Sequence, residues 1–259
     1  MSFSIRRFLE ISLGPIVLHR RVAGFRPRVI MCVSARVGGL KYLFRPFSRL
    51  DPELVRIVQR LVTKDSSVWD VGANVGIFSV LSGLLAGAGG SVVSFEADTD
   101  AVSLLNKTVY ANGKLIPMQV VPIAISSSIG FLRFAIAKRA RASNSIAGFG
   151  HSQAGGTREI RIVPSFTLDS MMEYFPLPSV LKIDVEGAEL EVLKGASILL
   201  QTIRPSVYCE VGESTINQVS DILQEAGYKI YDAADFSVGL CTSYKDTTSN
   251  IVAIHFSKE

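Results

Sequence analysis

The stretch Ser67-Val68-Trp69-Asp70-Val71-Gly72-Ala73-Asn74-Val75-Gly76 decides how the rest of the chain reads. Val68 to Val71 has the composition of a short buried strand. Gly72, Asn74 and Gly76 follow, and then the apolar, helix-compatible run Ile77 to Leu85. Strand, glycine turn and helix N-terminus make one βα unit. Glycine suits such a turn because it accepts positive φ and lets a ligand approach the backbone closely.

The spacing is Asp-x-Gly-x-Asn-x-Gly, which differs from the Gly-x-Gly-x-x-Gly of dinucleotide-binding turns. A pyrophosphate favours bare N–H groups at a helix N-terminus. Here the carboxylate of Asp70 ends the strand and would repel a phosphate. It suits a cationic or zwitterionic ligand such as S-adenosylmethionine. Twenty residues beyond Gly76, Val92-Val93-Ser94-Phe95-Glu96 reads as a second apolar strand ending in an acid. An acid there is placed to accept hydrogen bonds from both hydroxyls of a ribose. The plainer alternative is an ordinary turn with a capping Asn74 and a surface Glu96. It requires two acids and two glycines to fall at these offsets by coincidence.

On either side of this unit the chain alternates strand and helix. Asp51-Pro52 starts a helix, with aspartate as cap and proline in the first turn. Leu54, Val55, Ile57, Val58, Leu61 and Val62 give it an apolar face. Ala101 to Ala111 has helical period and ends at Asn112-Gly113. Met118 to Ile125 reads as a third strand. Phe131 to Ala137 and Glu159 to Val163 read as an inserted hairpin, joined by a long polar, glycine-rich segment, Lys138 to Thr157. Val180 to Val185, a helix from Ala188 to Leu200, and Ser206 to Val211 come next. A helix from Thr215 to Ala226 and the strands Tyr228 to Tyr231 and Ile251 to Phe256 complete the order. Such alternation predicts a mostly parallel, doubly wound α/β sheet of seven strands. The closing pair, with no helical period between them, predicts an antiparallel edge strand.

Residues 1–50 read as a separate basic extension. They hold ten Lys or Arg and one acid, Glu10, whereas residues 51–259 hold seventeen bases and twenty-two acids. Residues 3–22 have the pattern of a short basic amphipathic helix, broken at Gly14-Pro15, and residues 29–44 that of a hairpin turning at Gly38-Gly39. A basic arm on an acidic body fits an anionic partner and makes the N-terminus a candidate for peripheral membrane contact. A solvated face, or packing on the domain, fits it equally well. No apolar run approaches the roughly 18–20 residues of a membrane span, and Glu10 interrupts the only signal-like segment. Cys32, Cys209 and Cys241 are spaced for neither a disulfide framework nor a zinc site. They read as buried thiols of a reducing compartment, which points to the cytoplasm. His19, His151 and His255 are equally scattered, so no metal site is expected.

The segment Lys182-Ile183-Asp184-Val185-Glu186-Gly187-Ala188-Glu189, taken with Asp70 to Gly76, closely resembles the FkbM family of S-adenosylmethionine-dependent methyltransferases. Phe95-Glu96, Thr167-Leu168-Asp169 and Leu193-Lys194-Gly195-Ala196 agree with it. The resemblance covers residues 65–232 and implies a Rossmann-like methyltransferase sheet in residues 51–259. It further implies O-methylation of a hydroxyl on a glycan, glycolipid or polyketide-type acceptor, with S-adenosyl-L-methionine as donor. Carried over residue by residue, it makes Asp70, Gly72, Asn74 and Gly76 the cofactor turn and Glu96 the ribose acid. Ala124 and Ser126 fall where the family's third strand nears the adenine. Asp184 and Glu186 match the acids beside the methyl group. Two departures are Ala97, where the family usually has proline, and Ser126-Ser127-Ser128 in place of Ser-Asp.

An attacking alcohol must lose a proton, and a carboxylate within hydrogen-bond reach can take it. Asp184 is the first candidate, Glu186 the second, and Glu210, ending the next strand, the third. Glu189 and Glu191 read as solvated helix residues. Three other readings stay open: an inactive scaffold of the same fold, a membrane-associated binding protein, and a nucleic-acid methyltransferase. Nucleic acid is not the expected partner, because no Asn-Pro-Pro-Tyr-type motif is present and aromatics are not interleaved with the basic residues. Intact Gly72, Gly76 and Glu96 speak against an inactive scaffold.

Overall fold

The computed structural model describes residues 16–22, 28–35, 37, 51–137, 144–147, 156–212, 214–234 and 250–258. The central element is a seven-stranded mixed sheet. Its first strand, β3 (Ser67–Val71), pairs in parallel with β4 (Ser91–Phe95) on one side and β10 (Val180–Ile183) on the other. The sheet continues through β5 (Met118–Val121) beyond β4, and through β11 (Ser206–Glu210) beyond β10. β13 (Asn250–His255) runs antiparallel between β11 and β12 (Tyr228–Asp232), giving the order β12-β13-β11-β10-β3-β4-β5. The expected antiparallel strand is therefore present, but one place in from the edge.

The parallel strands are buried on both faces, so their side chains divide between two cores. Val68, Val92, Val180 and Tyr208 face one core. Trp69, Val93, Leu181 and Val207 face the other. Trp69 is wholly buried; its Nε1–H donates to Pro176 O at 3.0 Å, and its ring meets Phe95 edge-on. Helices α1 (Pro52–Leu61), α2 (Ile77–Ala86) and α3 (Thr99–Asn112) cover the first face. Asp51 caps α1 by accepting from Leu54 N–H at 2.9 Å. The short α4 (Leu168–Met171), α5 (Glu189–Lys194), a π-helical turn (Leu199–Ile203) and α6 (Ile216–Glu225) cover the second. One helix was expected from Ala188 to Leu200. It stops at Gly195 and resumes as the π-helical turn.

Met118 to Ile125 is not one strand. The proline at 122 has no N–H to give the ladder, so β5 ends at Val121. The chain then enters a second, four-stranded sheet through β6 (Ala124–Ile125). That sheet has the order β6-β9-β7-β8, from β7 (Gly130–Ala137), β8 (Ser145–Ile146) and β9 (Thr157–Phe166). The expected inserted hairpin is the antiparallel β7–β9 pair. Its small core is Ala124, Phe134, Ile136 and Val163. The opposite face leaves Phe131 77% and Ile162 66% exposed.

In the N-terminal extension, β1 (Leu18–Arg21) pairs antiparallel with β2 (Ile30–Val33). The amphipathic-helix expectation thus fails at Leu18–Arg21. The hairpin partner of 30–33 precedes it in the chain, whereas the expected return strand at 40–44 lies outside the described residues. β2 is tied to α3: Cys32 N–H donates to Thr108 Oγ1, and the Asn112 amide both accepts from and donates to Ile30. Cys32 and Cys209 are buried free thiols, while Cys241 and His151 lie outside the described residues. Among the described residues no helix is long and apolar enough to cross a membrane.

Candidate cofactor cleft and active site

The C-terminal tips of β3, β4 and β10 border a cleft partly open to solvent. Its floor and walls include Gly72, Asn74, Glu96, Ala124, Asp184 and Glu186, and Phe134, Asn144 and Ile146 roof it from the second sheet. The crevice outside the carboxyl ends of parallel strands is where such sheets bind ligands.

The turn after β3 has the geometry its sequence suggested. Gly72 has φ +74°, and a Cβ there would lie 1.9 Å from Asp184 O. Only a residue without a side chain lets the tips of β3 and β10 come this close. Asn74, at φ +52°, is also left-handed, which asparagine tolerates. Gly76, at φ +85°, opens α2. Asn74 N–H donates to Glu96 Oε2 at 2.7 Å, and Asp98 N–H donates to Glu96 Oε1 at 2.7 Å. These bonds fix the carboxyl group at the tip of β4, with acceptor capacity left on each oxygen. Burial pushes the Glu96 carboxyl up to about 7, against the lowering pull of the two N–H groups.

Asp70 does not line the cleft. It is fully buried beneath the turn, accepting from Ser79 Oγ at 2.5 Å through Oδ2. Its Oδ1 has no aligned hydrogen-bond donor and is held by charge, with Lys182 Nζ 3.1 Å away. Lys182, 4% exposed, also sits 3.1 Å from Asp184 Oδ2 and donates to Gly72 O at 2.8 Å. Burial alone would lower its ammonium group, but Asp184 and Asp70 outweigh this and raise it. The sequence reading missed Lys182 as a functional residue. One signal pointed to it: a lysine inside an apolar strand, two residues from an acid and so on the same face. The register that sets it opposite Asp70 comes from the folded sheet.

Beyond β10, Glu186 and Gly187 both have positive φ, +54° and +100°. Glu189 holds this loop: its Oε1 accepts from Gly187 N–H at 2.9 Å. Glu189 is therefore buried and structural, not solvated, whereas Glu191 reaches Lys194 and Ser127 at the surface. Burial, and then the negative charges of Asp184, Glu210 and Glu189, push the Glu186 carboxyl up to about 8. Glu210 ends β11 outside the cleft wall, and burial followed by Asp184 pushes it up to about 7. Ala124 lines the cleft. Ser126 does not: it is buried, with its N–H donating to Phe166 O at 2.9 Å. Among the described residues no group of three acids, histidines or cysteines is placed to hold a metal ion.

Asp98 joins the cleft to its roof. Its Oδ1 accepts from Arg161 Nη1 at 3.0 Å and its Oδ2 from Asn144 Nδ2 at 2.8 Å. Asn144 Oδ1 in turn accepts from Ala137 N–H. The sequence reading named neither Asp98 nor Arg161 in this part.

The methyltransferase FkbM domain matches residues 70–230, which runs from Asp70 into β12 and includes every cleft-lining tip described above. The chain belongs to the FkbM methyltransferase family. Hexuronic acid methyltransferase AglP of Haloferax volcanii is 30% identical to this FkbM chain over 164 residues. The match covers 60% of either chain, so the present protein spans about three-fifths of that relative's length. A solved FkbM methyltransferase from Methylobacillus flagellatus superposes with a TM-score of 0.49 at 14% identity, covering 78% of this chain and 50% of that one. An S-adenosylmethionine-dependent O-methyltransferase from Thermotoga maritima gives 0.45 at 11% identity, covering 79% and 64%.

Proposed function

We propose that this FkbM protein is an S-adenosylmethionine-dependent O-methyltransferase whose acceptor is a hydroxyl group of an acidic sugar in a glycan. The observation that carries the cofactor part is the Glu96 carboxyl, immobilised by two backbone N–H groups at the tip of β4 and facing the same cleft as Gly72. The cradle fits a nucleoside: Gly72 offers bare backbone, Glu96 offers acceptors for ribose hydroxyls, and Ala124 and Ile123 offer apolar surface for a base. Asp70 and Gly76 shape the turn from below, and Ser126 supports the wall from behind. When bound, the cofactor supplies a methyl group already activated on a sulfonium. The acceptor class comes from the likeness to AglP, which is a hexuronic acid methyltransferase.

The protein's own contribution is to hold the acceptor oxygen in line, exclude water and take its proton. Asp184 is anchored through Oδ2 by Lys182, so its other oxygen is the one left to orient a hydroxyl. Glu186 lines the same cleft, and burial raises its carboxyl toward the range in which a general base works at neutral pH. Calorimetry with S-adenosylhomocysteine tests the cofactor reading. Binding is expected for the wild type, and Glu96→Ala should weaken it by about 1–3 kcal/mol, as ligand hydroxyls lose a charged partner. No binding to the wild type would remove the reading. Mass spectrometry of uronic-acid-bearing glycans incubated with enzyme and cofactor tests the acceptor.

A further inference from the structure

Three charged groups meet under the cleft floor. Asp70 and Asp184 lie on neighbouring strands, and the Lys182 ammonium stands between them, 3.1 Å from a carboxylate oxygen of each. Its remaining reach goes to Gly72 O in the cofactor turn itself. Two carboxylates share one ammonium, so the network carries one net negative charge. It is buried at Asp70 and Lys182 and opens to the cleft only at Asp184. An uncompensated charge in such a place attracts a cation more strongly than it would in water.

We propose that Lys182 is a positioning residue that sets this charge. It cancels one of two acids, so that the cleft floor presents a single negative charge to the sulfonium of the methyl donor. The donor balances the network; the demethylated thioether, which lacks that charge, does not. The site thereby prefers substrate to product in one electrostatic step. The inference rests on the cofactor reading above and deepens it.

The other ionisable groups around the network do not obscure the effect in mild acid. Asp98 is matched by Arg161. Glu96 from β4, Glu186 from the loop, Glu189 from α5 and Glu210 from β11 are all pushed upward by burial, and all four are the same in every variant compared, so their contribution is common to the ratios.

The test is calorimetric and needs no turnover. Dissociation constants for S-adenosylmethionine and S-adenosylhomocysteine are measured near pH 6 at low salt for the wild type, Lys182→Arg, Asp70→Asn and Asp70→Asn/Lys182→Gln. The wild type and Lys182→Arg should favour the sulfonium by about tenfold, given one partly screened charge within several ångströms. Asp70→Asn, which leaves the network neutral, should abolish the preference. The double variant has one acid and no ammonium, and should recover it to within about threefold. A purely structural Lys182 predicts no recovery, so equal ratios in the single and double variants would overturn the proposal. So would a wild type that binds both nucleosides equally, an outcome that leaves the cofactor reading standing and decides the matter even if a variant fails to fold. A wild type that binds neither removes the cofactor reading, and this inference with it.

Discussion

Asp70 and Asp98 are both buried aspartates beside the cleft, yet they are held in different ways. Asp70 is sealed between β3, α2 and β10, and its partners, Ser79 and Lys182, are themselves buried. Asp98 sits where the second sheet meets the first. Its partner Arg161 is 18% exposed and shares its guanidinium with Asp100 and the open Glu159. The floor of the cleft is thus wired into the core, while the roof is clipped on by side chains that water can reach.

Breaking the floor should cost most. Lys182→Met leaves the Asp70 carboxylate buried without its counter-charge and should lower unfolding free energy by about 3–5 kcal/mol in urea titrations. Breaking the roof should cost less. Arg161→Met, which removes a cluster that is only partly exposed, should cost about 1–2 kcal/mol while exposing the β7–β9 amides to faster hydrogen exchange. If the two losses came out equal, the distinction between floor and roof would fail.

Three acids at and just beyond the strand tips also give a pH signature. Glu96, Glu186 and Glu210 bind protons more tightly when folded than in the unfolded chain, where they titrate near 4.5. Between that value and about 8 the native state holds more protons, so stability falls as pH rises through this window. The melting temperature should be higher at pH 5.5 than at pH 8.5, and Glu186→Gln should flatten part of the slope. The smallest effect is expected on the outer face of the roof. Ile162→Thr should change stability by less than about 0.5 kcal/mol, since its side chain is already in water.

The central sheet was legible because its signals are local. Apolar runs, glycine turns and the cap at Asp51 each sit within a few residues, and the helices and strands they predict are present. Features that depend on distant partners were not. Leu18–Arg21 is short, arginine-rich and mostly exposed, so nothing in its own pattern marks it as a strand; its pairing with Ile30–Val33 does. Glu189 looked like any acid in a first helical turn, because the amides it serves, in the left-handed loop before it, have no signature in the pattern. Asp70 was correctly placed at a strand end. Its charge was assigned directly to the ligand, and the lysine that partly answers it is more than a hundred residues away. Asp184 and Glu186 were legible as a pair, since both follow one apolar strand and both line the cleft.

The protein contains one tryptophan, and it is Trp69. Its indole lies against the ring of Phe95, a residue that borders the cleft, and its backbone neighbour is Asp70. Ultraviolet excitation therefore reads a single, well-defined spot next to the cleft at the strand tips. A shift or quench of that emission during titration would report occupancy without any label, in the unmodified chain and at micromolar concentrations.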